Sequence, residues 1–205
     1  MAIQDYMKAQ KMAEKQYRQA VSGGTYPFLP DLEHILRNSD VDGQIPMGQF
    51  EIPISMIAGT AQAERTSAFA SNFMPLLAFD TEFGSKWSSL CDSVHEVGVN
   101  EPIKVMEYMQ RFYVVEGNKR VSVSRYFGAV AIEAVVTRIL PKETDTNDYK
   151  IYMEFVEFHR VSGLYEIQMS QAGGFSRLIQ AIMPAEEAVL LPKGNPAPWD
   201  EELRQ

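Results

Sequence analysis

The sequence predicts an α+β fold, and two patterns carry that prediction. Residues 50–54, 102–108, 111–116 and 130–140 are rich in apolar and β-branched residues, as strands are. Between and around them, apolar residues recur at the three- and four-residue spacing of helices. In the middle of the chain the order is strand, strand, glycine turn, helix, strand.

Composition limits the classes of protein that the chain can belong to. Its 205 residues, 45% hydrophobic and 22% charged, suit one soluble domain with additions. The net charge of −8 weighs against attraction of the whole surface to DNA or to an anionic membrane, so an anion site must be local. No secretory signal or membrane span is evident, and we expect a cytoplasmic protein.

The single cysteine fits a reducing compartment, because Cys91 has no second cysteine with which to pair. It falls on the apolar stripe of a predicted helix, so we interpret it as part of the core rather than as a nucleophile. The three histidines, His34, His95 and His159, lie far apart, and no metal site is predicted.

The amino-terminal part is predicted to contain two helices followed by a turn-rich stretch. Residues 3–21 carry an apolar stripe that ends at Gly23-Gly24. This helix either packs on the chain's own core or serves as a dimer-forming arm. A short helix over 31–38 follows, and the Asp-, Gly- and Pro-rich residues 38–48 predict a turn-rich internal joint.

A strand and a longer helix come next. In the strand at 50–54, Pro53 requires an edge position or the end of the strand. Asp80 or Thr81 is a candidate cap for the helix that runs on to Gly98.

The central segment predicts a hairpin followed by a helix and a third strand. Two strand-like runs flank Met109-Gln110. Gly117 breaks the second run and opens a helix over 118–127, and a β-branched strand over 130–140 follows.

The carboxyl-terminal part is predicted to be mainly helical. A helix ending at Gly163, a strand over 164–169 and a helix over 175–183 are expected. Residues 191–205 are rich in proline and charge and read as a linker or mobile tail.

The residues with the strongest functional signal are Glu116-Gly117-Asn118-Lys119-Arg120, between a strand and a helix. Gly117 permits a sharp turn and the close approach of a ligand. The first amides of a helix are free and carry the positive end of its dipole. Two cations there are unfavourable unless an anion binds, and phosphate fits such a site.

The charge balance around this turn agrees with that interpretation. Residues 104–142 contain seven cations and three acids, within a chain that is strongly acidic overall. The alternative is a solvated helix start with incidental charges, since a single glycine turn is a weak motif.

The central segment also resembles the ParB/sulfiredoxin superfamily, over roughly residues 48–141. Members show a Pro-Ile-x-Val strand, a hairpin, an Asp-Gly-Asn-His-Arg-like turn that opens a helix, then a glycine and a β-branched strand. The counterparts here are Pro102-Ile103-Lys104-Val105, Glu116 to Arg120, Gly128 and Ile132 to Val136, with Phe50 to Ile57 and Arg65 upstream.

The resemblance implies a small mixed sheet with helices packed on it and a division into three parts. These are a helical extension over 1–47, a ParB/sulfiredoxin-like core over 48–141, and a helical extension with a tail over 142–205. It implies that a nucleotide's phosphates contact Gly117, Asn118, Lys119 and Arg120, with Arg65 as a second anion contact. A nucleoside triphosphate with Mg²⁺ is the ligand to expect.

A catalytic carboxylate is implied as well, with Glu116 as the base or metal-linked acid and Glu64 as a weaker candidate. Two departures limit the chemistry. Sulfiredoxins need a cysteine where Asn118 stands, so sulfinic-acid reduction is not expected. Partition ParB proteins carry Gly-Glu-Arg-Arg, whose middle pair is replaced here by Asn118 and Lys119.

Three functions remain open from sequence. The first is nucleotide-phosphate binding, with or without phosphoryl-transfer or phosphodiester chemistry. The second is a non-catalytic regulatory or assembly module, which a homo-oligomer would fit. The third and weakest is a nuclease. Sequence-specific DNA binding is not expected, because no basic helix-turn-helix follows Pro141.

Overall fold

The computed structural model describes residues 2–37, 39–97 and 101–182, in two compact units that span Met1–Thr144 and Asp145–Gln205. The first unit contains a five-stranded sheet with the strands β1 Val41–Pro53, β2 Ile57–Thr60, β3 Ile103–Tyr108, β4 Arg111–Glu116 and β5 Ala131–Pro141. Its helices are α1 Ala2–Ser22, α2 Leu32–Leu36, α3 Glu82–Val97 and α4 Asn118–Tyr126. The second unit contains α5 Asn147–Ser162 and α6 Gly174–Ile182.

The sheet is mixed, which confirms the predicted α+β class. Its strand order is β1-β5-β3-β4-β2. β1 pairs antiparallel with β5, β5 parallel with β3, β3 antiparallel with β4, and β4 parallel with β2. The predicted hairpin is confirmed, and its turn residues Met109 and Gln110 both adopt positive φ, 49° and 61°. The Glu107 carboxylate stabilises this turn by accepting the Gln110 amide at 2.9 Å.

The prediction of a turn-rich joint over residues 38–48 is wrong, because most of this stretch belongs to the long strand β1. β1 lies at an edge of the sheet, where a proline loses no ladder hydrogen bond on its open side. Register shifts between Val41 and Gly43 and between Pro46 and Gly48 accommodate the irregular residues, and Gly48 has a φ of 87°. The strand runs across the predicted boundary between residues 47 and 48.

Capping residues define several helix boundaries, and two of them, Thr81 and Gly163, are predicted from sequence. Asp31 caps α2 by accepting the His34 amide at 2.7 Å. Thr81, one of two candidates, accepts the Gly84 amide at 3.2 Å and so caps α3. Gly163 ends α5 in the left-handed conformation, with a φ of 69°. The predicted end of α3 at Gly98 and the tail at 191–205 lie outside the described residues.

Helix α1 packs on the chain's own core, the first of its two predicted roles. Tyr6, Ala9 and Ala13 are fully buried and belong to one cluster with Trp87 and Cys91. The interpretation of Cys91 as core is therefore confirmed, and burial raises the pKa of its thiol to about 11. None of the helices in the described ranges has the length and apolar character of a membrane span.

Arg125 joins the carboxyl end of α4 to the bend between β1 and β2. Its guanidinium donates to the carbonyls of Ile54, at 3.0 Å, and Ile57, at 2.7 Å. It also lies 4.5 Å from the ring centre of Phe73. The position suits a cation, since the carboxyl end of a helix carries partial negative charge.

A buried ion pair joins β3 to β5. The side chains of Glu107 and Arg138 are 0% and 3% exposed, and the Arg138 Nε lies 2.5 Å from a Glu107 carboxylate oxygen. Removing one partner of such a pair leaves a buried charge uncompensated. The pair therefore fixes the register between these two parallel strands.

The second unit lacks one predicted strand. Residues 164–169 are irregular, so the prediction of a strand there is wrong. The elements described in this unit are the two helices, which offer no strand edge with which a strand could pair. Tyr165 is instead buried against Phe155 and His159, with ring centres 5.4 and 4.2 Å apart. The predicted helix near 175–183 is confirmed as α6.

Candidate functional site

The site lies at the edge of the sheet where the parallel strands β2 and β4 both end. β4 is followed at once by Gly117 and α4. β2 is followed by a short 3-10 helix, Ala63–Ala68, which contains Glu64 and Arg65. Because the carboxyl ends of parallel strands meet at one edge, the glycine turn and the Arg65 segment emerge side by side.

Gly117 is required at this edge for two independent reasons. Its φ of 108° lies in the left-handed region that side-chain-bearing residues rarely adopt. A Cβ atom there would also lie 2.5 Å from Cγ2 of Ile103 at the start of β3. The turn is therefore packed directly on the sheet, and α4 starts without a linker.

Asn118 joins the first residue of α4 to the end of β2. Its side-chain amide nitrogen donates to Oγ1 of Thr60 at 3.3 Å, and the Thr60 hydroxyl donates to the carbonyl of Val114 at 3.1 Å. Within the described ranges, the Asn118 Oδ1 atom is buried and has no hydrogen-bond partner. These bonds fix the position of the α4 amino terminus relative to both strands.

Lys119 turns toward α3. Its Nζ lies 4.7 Å from the ring centre of Phe83. Burial lowers its pKa below the usual lysine value, and the charges of Lys86 and Arg65 lower it further, while Glu82 opposes them. Arg65 and Lys86 are therefore near enough for their charges to act on Lys119, and these three residues are called the cationic cluster below.

Arg120 turns the other way, toward β3. Its guanidinium donates to the carbonyls of Glu101, at 3.0 Å, and Pro102, at 2.6 Å. It also lies 3.5 and 3.9 Å from carboxylate oxygens of Glu101 and Glu116. The two adjacent cations, expected to flank one anion, thus lie on different sides of the turn.

Glu116 is the last residue of β4 and is exposed. Its carboxylate pairs with Lys104 at 2.8 Å. The Lys104 ammonium holds its pKa below the usual glutamate value, and Arg120 adds to this effect. A carboxylate with a lowered pKa is a weaker base. Glu64 is also exposed, in the first turn of the Ala63–Ala68 segment.

Two residues that sequence reasoning did not assign to the site belong to its surroundings. In the sequence, Phe83 falls on the apolar stripe of a predicted helix, and Lys86 carries no signal of its own. Their three-residue spacing puts them on one face of α3, but nothing in the sequence tells which element that face meets. Among the described residues, no group of three or more His, Cys, Asp and Glu could hold a metal ion.

Replacing Gly117 with alanine is expected to destabilise the first unit by about 1–3 kcal/mol, because of backbone strain and the clash with Ile103. Gly43→Ala is the matched control, since a Cβ at Gly43 meets nothing within 4 Å. It should change the free energy of unfolding by less than about 1 kcal/mol. Urea unfolding measures both, and equal effects of the two substitutions would contradict the packing of Gly117 described above.

Comparisons with known proteins leave the family open. No family model matches the chain, and no curated protein matches it. Among solved structures, the chain has a distant likeness to the C-terminally truncated chromosome-partitioning protein ParB from Caulobacter crescentus in complex with CTP-γ-S. The two share 17% identity over 69% of this chain and 68% of that one, with a TM-score of 0.31. A likeness of this size decides neither family nor ligand.

Proposed function

We propose that this chain binds the phosphate groups of a nucleotide at the shared edge of β2 and β4. The phosphates contact the backbone amides that follow Gly117 and the cationic cluster formed by Lys119, Arg65 and Lys86. The charges of the cluster make a chain of two or three phosphates a better ligand than a single phosphate.

One observation carries the proposal: the charges of Lys86 and Arg65, which lie on two other elements, act on Lys119, and Lys119 has no carboxylate partner within the described ranges. Within the described ranges, no carboxylate lies at ion-pair distance from Lys119, and the nearby Glu82 is paired with Lys86 at 2.5 Å. Like charges held together destabilise the folded chain unless an anion joins them. Unfavourable repulsion between cations next to the start of a helix is typical of a binding site.

The backbone supplies further donors at the same place. The first intrahelical bond at this end of α4 runs from the Val121 amide to the carbonyl of Gly117. The amides of Asn118, Lys119 and Arg120 therefore have no intrahelical acceptor and are available to an anion. Arg120 remains a proposed phosphate contact, and it would have to leave the carbonyls of Glu101 and Pro102 to become one.

Mg²⁺ is expected to arrive with the nucleotide rather than to reside in the protein. The part of the chain that the structure describes offers no carboxylate cluster, and Glu116 is engaged with Lys104 and Arg120. Mg²⁺ is commonly held by nucleotide phosphates together with water. The protein's share of the binding then comes from Lys119, Arg65 and Lys86.

A second candidate, a regulatory or assembly module that binds without turnover, is favoured by the surroundings of Glu116. As a base for phosphoryl transfer, Glu116 would need to accept a proton near neutral pH. The ion pair with Lys104 lowers its pKa and weakens it for that role. Binding and turnover therefore need separate tests.

Nucleotide-dependent stabilisation should depend on Lys119. With ATP, CTP or GTP and Mg²⁺, a ligand at 100 times its Kd stabilises the fold by about 2.7 kcal/mol and raises Tm by several degrees. Lys119→Met should weaken the affinity about 10- to 100-fold, the value of one charge-assisted hydrogen bond. Lys11→Met, at an exposed position of α1, is the matched control. Equal shifts in the two variants, or none in the wild type, would remove the proposal.

The pH dependence of binding should report the lowered pKa of Lys119. As pH rises, Lys119 loses its charge earlier than an ordinary lysine, and affinity for a triphosphate should fall in that range. Removing the nearby charge of Lys86 raises the pKa of Lys119, so Lys86→Met should move the fall to higher pH. Calorimetric titration between neutral and alkaline pH measures the midpoint. A midpoint that does not move in Lys86→Met would exclude Lys119 as the titrating group.

Turnover decides between the two candidates. If the chain is a non-catalytic module, bound nucleotide should stay intact over hours with Mg²⁺, and Glu116→Gln should bind it as the wild type does. Phosphate release together with nucleotide chromatography measures this. Hydrolysis that Glu116→Gln abolishes would instead support the phosphoryl-transfer chemistry predicted from sequence.

A further inference from the structure

We infer that the chain forms a homodimer through the outer face of α1, which pairs antiparallel with α1 of a second copy. The inference goes beyond the proposed phosphate site and uses none of its residues. The surface that carries it is a stripe of six residues on α1 whose spacing alternates between four and three. This stripe is called the α1 seam and consists of Ile3, Met7, Gln10, Glu14, Tyr17 and Val21.

The α1 seam is separate from the face with which α1 packs on its own core. Successive residues of a helix point about 100° apart, and on that geometry the seam lies beside the buried face rather than on it. Ile3, Met7 and Val21 are apolar and yet each is more than half exposed. Single exposed apolar residues are ordinary, but a row with a period of 3.5 residues is typical of a helix that pairs with another helix.

The order of residues along the seam is complementary to itself when it is reversed. An antiparallel pair centred on residue 12 places every seam residue opposite a seam residue of the second copy. The facing pairs are Ile3 with Val21, Met7 with Tyr17, and Gln10 with Glu14. Apolar and aromatic side chains therefore meet toward both ends, and the polar layers meet each other. A parallel pair would instead place Glu14 opposite Glu14, which like charges disfavour.

Charge complementarity also favours the antiparallel arrangement. Lys11 and Glu14 are both exposed, and neither has an ion-pair partner in the part of the chain that the structure describes. In the antiparallel pair Glu14 lies next to Lys11 of the second copy, and two-fold symmetry produces this contact twice. The two carboxylates offset the repulsion between the two Lys11 side chains near the axis. Gln10 donates one amide hydrogen to the carbonyl of Leu77 at 2.8 Å, so its other hydrogen is available to Glu14.

Two exposed residues from other segments extend the apolar contact at the two ends of the seam. Leu77 lies beside the amino-terminal half, where its carbonyl accepts from Gln10. Tyr26 lies beside the carboxyl-terminal half, because its ring and the ring of Tyr17 both pack on Phe28. The seam itself spans about 27 Å at 1.5 Å per residue.

Sedimentation equilibrium of the full chain in the micromolar range should show a species of twice the chain's 23.2 kDa. Met7→Glu should raise the dimer Kd at least about tenfold, because it places two carboxylates in the apolar part of the seam. Met12→Glu is the matched control, since Met12 is 47% exposed against 52% for Met7 but points away from the seam. A wild type that stays monomeric, or equal effects of the two substitutions, would overturn the inference.

Disulfide cross-linking tests the direction of pairing. Ile3→Cys combined with Val21→Cys should give covalent dimers under mild oxidation, because these positions face each other. Ile3→Cys alone should not, since the two copies of residue 3 lie about 27 Å apart in the antiparallel pair. The native Cys91 is buried and does not compete. Equal cross-linking of the single and the double variant would rule out the antiparallel seam.

Exchanging the charges at the axis tests the contact between Lys11 and Glu14. Glu14→Lys should weaken the dimer, and adding Lys11→Glu should restore it, whereas a double variant as weak as the single one would contradict this contact. Nucleotide binding by Met7→Glu, measured by equilibrium dialysis, separates the inference from the proposed function. A monomeric variant that binds nucleotide as the wild type does is the expected result. A wild-type dimer that binds no nucleotide would leave this inference standing while the proposed function fails.

Discussion

The contact between Gly117 and Ile103 is the constraint on which the rest of the site depends. Because Gly117 has no side chain, the turn can pack directly on Ile103. The chain therefore passes from β4 into α4 with no intervening loop. The orientation of α4 is thereby set by the sheet. Successive residues of a helix point about 100° apart. This geometry explains why Lys119 faces α3 and Arg120 faces β3, although the two are neighbours in sequence.

Much of the fold could be predicted because local chemistry decides it. Thr81 and Gly163 act at helix ends through their own side chain or backbone conformation, and sequence alone reveals such residues. The two wrong predictions, for residues 38–48 and 164–169, concern strand formation, which depends on a partner strand elsewhere in the chain. Residues 41–48 form a strand because β5 is available to pair with them, and residues 164–169 do not because the unit described around them has no sheet.

The candidate site was predictable only in part, for a related reason. Sequence identified the turn, its glycine and both of its cations, since these are contiguous. It could not determine that Arg120 finds backbone carbonyls at Glu101 and Pro102, because that choice depends on where β3 begins. Nor could the sequence predict that Lys86 lies near the turn, because the packing of α3 against α4 is a tertiary contact. The sequence predicted Lys119 and Arg120, together with Arg65, as anion contacts, whereas in the structure Arg120 turns toward β3 and Lys86 of α3 acts on Lys119 instead.

Helix α4 is fastened to the sheet at both ends, by Asn118 to Thr60 at one end and by Arg125 to Ile54 and Ile57 at the other. These anchor points flank the short strand β2, which leads directly into the segment that contains Arg65. Hydrogen bonds thus join helix and strand at both ends of α4. For the phosphate site proposed above, the backbone on both sides of the ligand is therefore fixed by the fold itself, and only side chains such as Arg120 have to move for binding.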